Sequence, residues 1–118
     1  MKIPAAPAYL QVVRLVAAGL AARLKFTLED IEDLKIAVDE LSAYLTGAQG
    51  RDGVLHVTFN VHDDKIEISG RGEFTTNYKI RTQLTELSQM ILQTVVDDAQ
   101  LSQDNGTPSF SLVKSKGQ

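Results

Sequence analysis

Within EDLKIAVDELSAYLTG, residues 32–47, Glu40 and Tyr44 stand four apart. On a helix that spacing puts two side chains one turn apart on the same face. A glutamate followed four residues later by an asparagine would set a general base beside a magnesium ligand. Phosphoryl transfer needs both: the metal neutralises phosphate charge and the base positions the nucleophile. Here the second place is taken by Tyr44. A phenol is protonated at neutral pH and is a poor ligand for magnesium, which prefers carboxylate or water oxygens. On residue types alone, Asp39 and Glu40 read as solvated helix charges, as charge runs usually do.

Other chemistry has less to stand on. His56 and His62 lie in or beside a strand without a paired ligand at metal spacing, and a zinc site normally needs three or four protein ligands. They read as solvated or turn histidines. Ser69, Ser109 and Ser111 have no evident histidine and acid partners for a hydrolase. Asp97 and Asp98 read as the close of a helix and the start of a hairpin. The chain has no cysteine, which excludes a disulfide framework, a thiolate zinc site and a cysteine nucleophile.

The elements that must position these residues follow from periodicity. The 118 residues fit one domain, 1–118. The net charge of −3 lacks the surplus of Lys and Arg that a non-specific nucleic-acid binder needs. No apolar run approaches the ~20 residues of a membrane span. MKIPAAPAYL has neither the charged region nor the apolar core of a signal peptide. A cytoplasmic protein is expected.

MKIPA reads as a short edge strand, with Pro7 placed to open a helix. Leu10, Val13, Ala17, Leu20, Ala21 and Leu24 make one helical stripe. Val12, Leu15 and Val16 widen it, so burial over much of the girth is expected. Gly19 would allow a close helix contact. TLED, residues 27–30, is a capping-box signal, in which Asp30 reaches back toward Thr27. A second helix follows on Ile31, Leu34, Val38, Leu41 and Leu45 and stops at Gly47.

GAQGRDG, 47–53, is a loop by composition. VLHVTFNV and KIEISG alternate and form a hairpin across His62, Asp63 and Asp64. Residues 70–82 have no clear period and read as a loop. A third helix is expected from about Gln83 to Asp97 on Leu84, Leu87, Ile91 and Val95. A closing hairpin follows, AQLSQ and PSFSLVK around a turn at residues 104–106. The expected fold is α+β: a two-layer sandwich with about three helices on one face of a four- to five-stranded mixed or antiparallel sheet.

The stretch IPAAPAYLQVVRLVAAGLAARLKFTLEDIEDLKIAVDE, residues 3–40, resembles the N-terminal part of the RsbW-like bacterial anti-sigma factors that are also serine kinases. These belong to the GHKL superfamily, with the histidine kinase and Hsp90 ATPase domains. Beyond residue 40 the resemblance rests on element order. It implies a Glu-x-x-x-Asn nucleotide motif on the second helix, with Glu40 at the first place and Tyr44 where the asparagine belongs. It also implies an Asp-x-Gly-x-Gly motif that contacts adenine. The corresponding stretch is SGRGEF, 69–74, where Gly70 takes the aspartate position and Gly72 keeps one glycine. An ATP lid and a glycine-rich turn would precede the last helix. Here about a dozen residues make that link, and TELSQMIL, 85–92, holds no glycine. A phosphate site built from backbone N–H groups needs glycine for close approach.

Metal ligand, adenine acceptor and phosphate loop are thus altered together. The expectation is a non-catalytic regulator of the anti-sigma type with a degenerate nucleotide site and no cofactor. Tyr44 would simply fill the space of a nucleotide. The resemblance implies a homodimer and a sigma factor or STAS-domain (sulfate transporter and anti-sigma antagonist) protein as partner. Arg14 in VVRLV matches an arginine on the partner-binding first helix. It equally fits the solvent edge of its stripe, its stem covering apolar neighbours. The rival is a divergent serine kinase that uses ATP and magnesium with Glu40 as base. A third possibility is a small sensor with another ligand in the old pocket.

Overall fold

The computed structural model describes residues 1–47, 49–76 and 82–117. Its elements, in chain order, are β1 (Lys2–Pro4), α1 (Pro7–Arg23), α2 (Leu28–Thr46), β2 (Gly53–Val61), β3 (Lys65–Phe74), α3 (Glu86–Val95), β4 (Asp98–Asp104) and β5 (Thr107–Ser115). The strands form one antiparallel sheet in the order β1-β2-β3-β5-β4. The helices pack on one face of it.

The layer between helices and sheet is apolar because each element keeps its own period. Leu34, Leu41 and Leu45 of α2 are fully buried, as are Val13, Ala17 and Ala21 of α1. Leu55, Val57, Ile66, Ile68, Phe110 and Leu112 rise to meet them from alternate strand positions. Each such leucine contributes about 2 kcal/mol by leaving water. Leu41→Ala would cost more, about 2–5 kcal/mol, because a cavity would remain. The Thr27 hydroxyl caps α2 by accepting from the Asp30 N–H at 3.1 Å. The closing hairpin turns on Asn105 and Gly106, both at positive φ, as a two-residue turn between twisted strands requires.

Three expectations change. Residues 70–74 are strand, because β3 continues to Phe74 with Ser69, Arg71 and Glu73 outward and Gly70 and Gly72 inward. Alternation persists there, but the inward places hold glycine, which reads locally as a loop; residues 77–81 lie outside the described residues. The α1 helix is buried on one side only. Val12 and Leu15 are 42% and 69% exposed, and Gly19 faces open space rather than a neighbouring helix. The α3 helix is shorter than expected and turned about its axis. Ser88, Leu92 and Val95 face inward, while Leu87 is 68% exposed. The Asp30 carboxylate keeps its side-chain hydrogen bond with Thr27 and in addition accepts from the Gly117 N–H at 2.9 Å near the C-terminal end of the chain.

Candidate functional site

The second helix carries Glu40 and Tyr44 toward the first turn of α3, and the two helices lock together there. Thr85 caps α3, its hydroxyl accepting from the Ser88 N–H at 3.1 Å. The Tyr44 hydroxyl accepts the Thr85 N–H at 3.0 Å and donates to Ser88 Oγ at 2.8 Å. The Thr85 hydroxyl also donates to Ser88 Oγ, at 2.9 Å. Ser88 Oγ in turn donates to Glu40 Oε1 at 2.5 Å. The Ser88 hydroxyl, 5% exposed, thus accepts twice and donates once, which is its full capacity.

Burial disfavours the Tyr44 phenolate, but the hydrogen bonds with Ser88 and Thr85 outweigh it. The phenol is held below the usual tyrosine range, against an opposing push from Glu40. Tyr44 therefore does more than fill space. It satisfies a backbone donor at a helix N-terminus, the place where orphan N–H groups and the helix dipole favour an anion.

Gly70 and Gly72 sit on the inner face of β3, apart from this network. Gly70 pairs with Phe110 of β5, and the Phe110 ring, 2% exposed, covers it so closely that a Cβ there would overlap the ring. Gly72 is covered in the same way by the Phe74 ring and by Pro108. Small inner residues on β3 are thus matched by large ones on β5 and at the strand end.

At the other end of α2 lies a cation that periodicity alone gave no reason to single out. Lys114 continues the inward series Phe110, Leu112 on β5 and is 8% exposed. Its ammonium donates to the Val95 carbonyl at 2.8 Å, capping the C-terminus of α3. It also lies 3.4 Å from Asp30 and 3.7 Å from Asp33 in the first turns of α2. Both helix dipoles favour these charges. Burial pushes the Asp30 carboxyl up, but the Gly117 N–H and the Lys114 charge outweigh it and hold it below its usual value.

Arg14 is on the flank of α1 that faces α2, its Nε 3.0 Å from Asp39 Oδ1, with its side chain 34% exposed. Val12 and Leu15, exposed on the outer side of α1, point away from Arg14. His56 meets Glu73 at 2.7 Å across β2 and β3. His62 lies 3.5 Å from Glu67. Among the described residues no three His, Asp or Glu side chains cluster as a metal site. The outer sheet face holds a shallow polar trough of about 350 Å³ floored by Ser69, Ser109 and Ser111.

The sequence alone singled out Glu40, Tyr44, Gly70, Gly72 and Arg14. The structure joins Glu40 to Tyr44 through Ser88, puts the two glycines on the sheet, and leaves Arg14 on α1. Thr85 and Ser88 were overlooked although Thr85-x-x-Ser88 is an N-cap spacing. That signal also starts α3 at Glu86 rather than Gln83.

No helix of the described residues is long and apolar enough to cross a membrane. No family model matches the chain. Individual relatives do. The serine-protein kinase RsbW of Bacillus pumilus (strain SAFR-032) is 34% identical, the match covering 90% of this chain and 78% of the relative. The protein of the same name from Bacillus velezensis is 32% identical with the same coverage, and that of Bacillus subtilis (strain 168) 28%. Among solved structures, the RsbU and RsbW domains of Rv1364c from Mycobacterium tuberculosis superpose with a TM-score of 0.66 at 18% identity. That match covers 98% of this chain, which spans about a third (32%) of the other. The three-helix, five-stranded fold is accordingly of the GHKL type, and on the identity and coverage of its relatives the chain belongs to the RsbW family.

Proposed function

We propose that this protein is a non-catalytic regulator of the anti-sigma type, which binds a sigma factor or a STAS-domain antagonist without using ATP. The observation that carries this is the Tyr44 hydroxyl on the Thr85 N–H. In a nucleotide-binding relative that N-terminus of α3 would face phosphate. Here a side chain of the protein's own supplies the acceptor. Two features support the same view. The Phe110 ring lies on Gly70, where an adenine-binding carboxylate would stand. The alignment with the Bacillus pumilus protein runs over 128 positions, more than the 118 residues of this chain, so the relative carries residues with no counterpart here. That agrees with a shortened lid between β3 and α3.

Partner capture would use α1, where Val12 and Leu15 are exposed on the outer side and Arg14 lies at the edge toward α2. An apolar patch with an arginine at its edge suits a protein interface. Sequestration would then act by occlusion, and release by competition between partners or a change in protein level. A homodimer, as in the family, fits this scheme.

One observation favours the rival reading, a divergent serine kinase: Glu40 keeps the general-base position, and the relatives are named serine-protein kinases. Its carboxylate, however, already accepts from Ser88. Calorimetric titration with ATP and magnesium separates the two. No heat and no rise in Tm is expected. Saturable binding would put the kinase ahead, with phosphate transfer to a STAS-domain serine as the next assay.

A further inference from the structure

The two edges of the sheet are not alike. β1 is three residues long and ends at Pro4, which blunts that edge. β4 is seven residues long, and its sequence DAQLSQD holds no lysine, no proline and no charge on the inner face. The register fixes which of its backbone groups are free. Across the two-residue turn at Asn105 and Gly106, Asp104 and Thr107 form a bonded pair, and bonded pairs then alternate along an antiparallel ladder. Ser102–Ser109 and Gln100–Ser111 are bonded pairs, whereas Pro108, which has no N–H, falls opposite Gln103 at an unbonded place. Ala99 and Leu101 therefore point their N–H and C=O groups away from β5, and among the described residues no strand pairs with them there.

A hollow of about 200 Å³ adjoins that edge. Its apolar lining is Leu84, Leu92, Val96 and Ala99, to which Gln89 and Gln93 add amides. No residue of β5 lines it, so it lies on the free side of β4, where α3 delivers the chain into the strand. A strand laid along β4 would point alternate side chains to this inner face, and the one beside Ala99 would enter the hollow. Main-chain hydrogen bonds would supply affinity, and the hollow a side-chain preference, as in strand addition generally.

Charge distinguishes the possible strands. Asp98 and Asp104 stand at the two ends of β4, both exposed. Neither has an ion pair among the described residues, and the Asp98 carboxylate accepts only from the Gln100 amide, at 3.4 Å. A second copy's β4, pairing antiparallel about Leu101, would set Asp98 against Asp104 at both ends. Like charges directly opposite are destabilising. A strand with a cation at each end would instead meet both carboxylates. We propose that the free edge of β4 receives an extended segment of a partner protein as a sixth strand, apolar at alternate positions and basic at both ends. This edge lies across the sheet from β2, on which α1 packs, and its use does not depend on ATP.

The test uses the full chain, isotope-labelled and followed by NMR. It is titrated with the end-blocked peptide Lys-Leu-Thr-Val-Thr-Leu-Lys, whose order is the same in either direction, and with its counterpart carrying glutamate for lysine. At saturation the lysine peptide is expected to shift the Ala99 and Leu101 amide signals and to slow their hydrogen exchange at least tenfold. The glutamate peptide should bind at least tenfold more weakly. N-methylation of the valine and both leucines, whose N–H groups would face β4, should abolish the protection. Asp98→Lys combined with Asp104→Lys, both at exposed positions, should reverse the preference between the two peptides. Equal binding of both peptides, an unchanged preference in the double variant, full protection by the N-methylated peptide, or no protection at millimolar peptide would overturn the proposal. So would slow exchange of the Ala99 and Leu101 amides in the peptide-free protein, because a second copy or another segment of this chain would then cover the edge.

Discussion

The ring of Phe110 lies on Gly70, its register partner in the neighbouring strand. Forty residues separate them in sequence, and neither explains itself alone. Glycine at an inward strand position weakens a sheet, and a phenylalanine beside it replaces the missing apolar surface.

This contact makes Gly70 intolerant of a side chain. Gly70→Ala should destabilise the protein by about 1–3 kcal/mol through overpacking, seen as a lower urea midpoint. Gly70→Asp, which restores the family's carboxylate, should cost more because the charge would be buried unpaired. A midpoint unchanged in Gly70→Ala would mean that the Phe110 ring swings aside at little cost.

Tyr44→Phe keeps the ring and removes the hydroxyl. The Thr85 N–H then loses its acceptor and Ser88 loses a donor. A loss of about 1–3 kcal/mol is expected, with faster hydrogen exchange at the Thr85 and Ser88 amides. Tyr44→Asn restores the family's metal-ligand residue. By itself it should not restore ATP binding, since Phe110 still covers Gly70; calorimetric heat from that single variant would overturn the account of the closed pocket.

Lys114 holds three elements at once. Lys114→Met keeps the stem but strands two carboxylates and the Val95 carbonyl. Removing one partner of a buried ionic cluster typically costs about 3–5 kcal/mol. Gdm-induced unfolding followed by circular dichroism reads it directly; a loss below about 1 kcal/mol would show that water replaces the ammonium freely.

The same cluster sets a pH dependence. Asp30 titrates below its unfolded value of 3.8, so the folded state binds its proton less readily than the unfolded chain. Its contribution to stability is complete above that value and is lost as pH falls through the lower folded value. Acid unfolding should steepen below pH ~4. Asp30→Asn should flatten that limb of the stability curve while leaving the pH 6–8 region without slope from this site. An identical acid limb in wild type and variant would remove Asp30 from the cause.

Arg14→Glu should leave the fold intact, because half-exposed ion pairs contribute only about 0–1 kcal/mol. Capture of a sigma factor or STAS-domain protein should fall at least tenfold, measured by titration of purified components. Unchanged affinity would remove Arg14 from the interface.

Much of this architecture could be read before any coordinates. The α2 helix is fixed by Thr27 at its cap, by the spacing of Leu34, Leu41 and Leu45, and by Gly47 at its end, all local signals. The two hairpins follow from alternation and from Asn105-Gly106. Even the pairing of Glu40 with Tyr44 on one face is a property of helical spacing. These features are legible because backbone sterics and near-neighbour burial act over a few residues.

What surrounds Tyr44 was not legible in the same way. That its hydroxyl meets Thr85 and Ser88, that Ser88 turns α3 and exposes Leu87, that Phe110 roofs Gly70, and that Lys114 ties α2 to α3 all depend on contacts between segments far apart in the chain. Sequence determined which faces each element would present, and so the sandwich itself. Only packing decided which distant side chains would meet across it, because close contact depends on the rotation and register of whole elements, which no local period specifies.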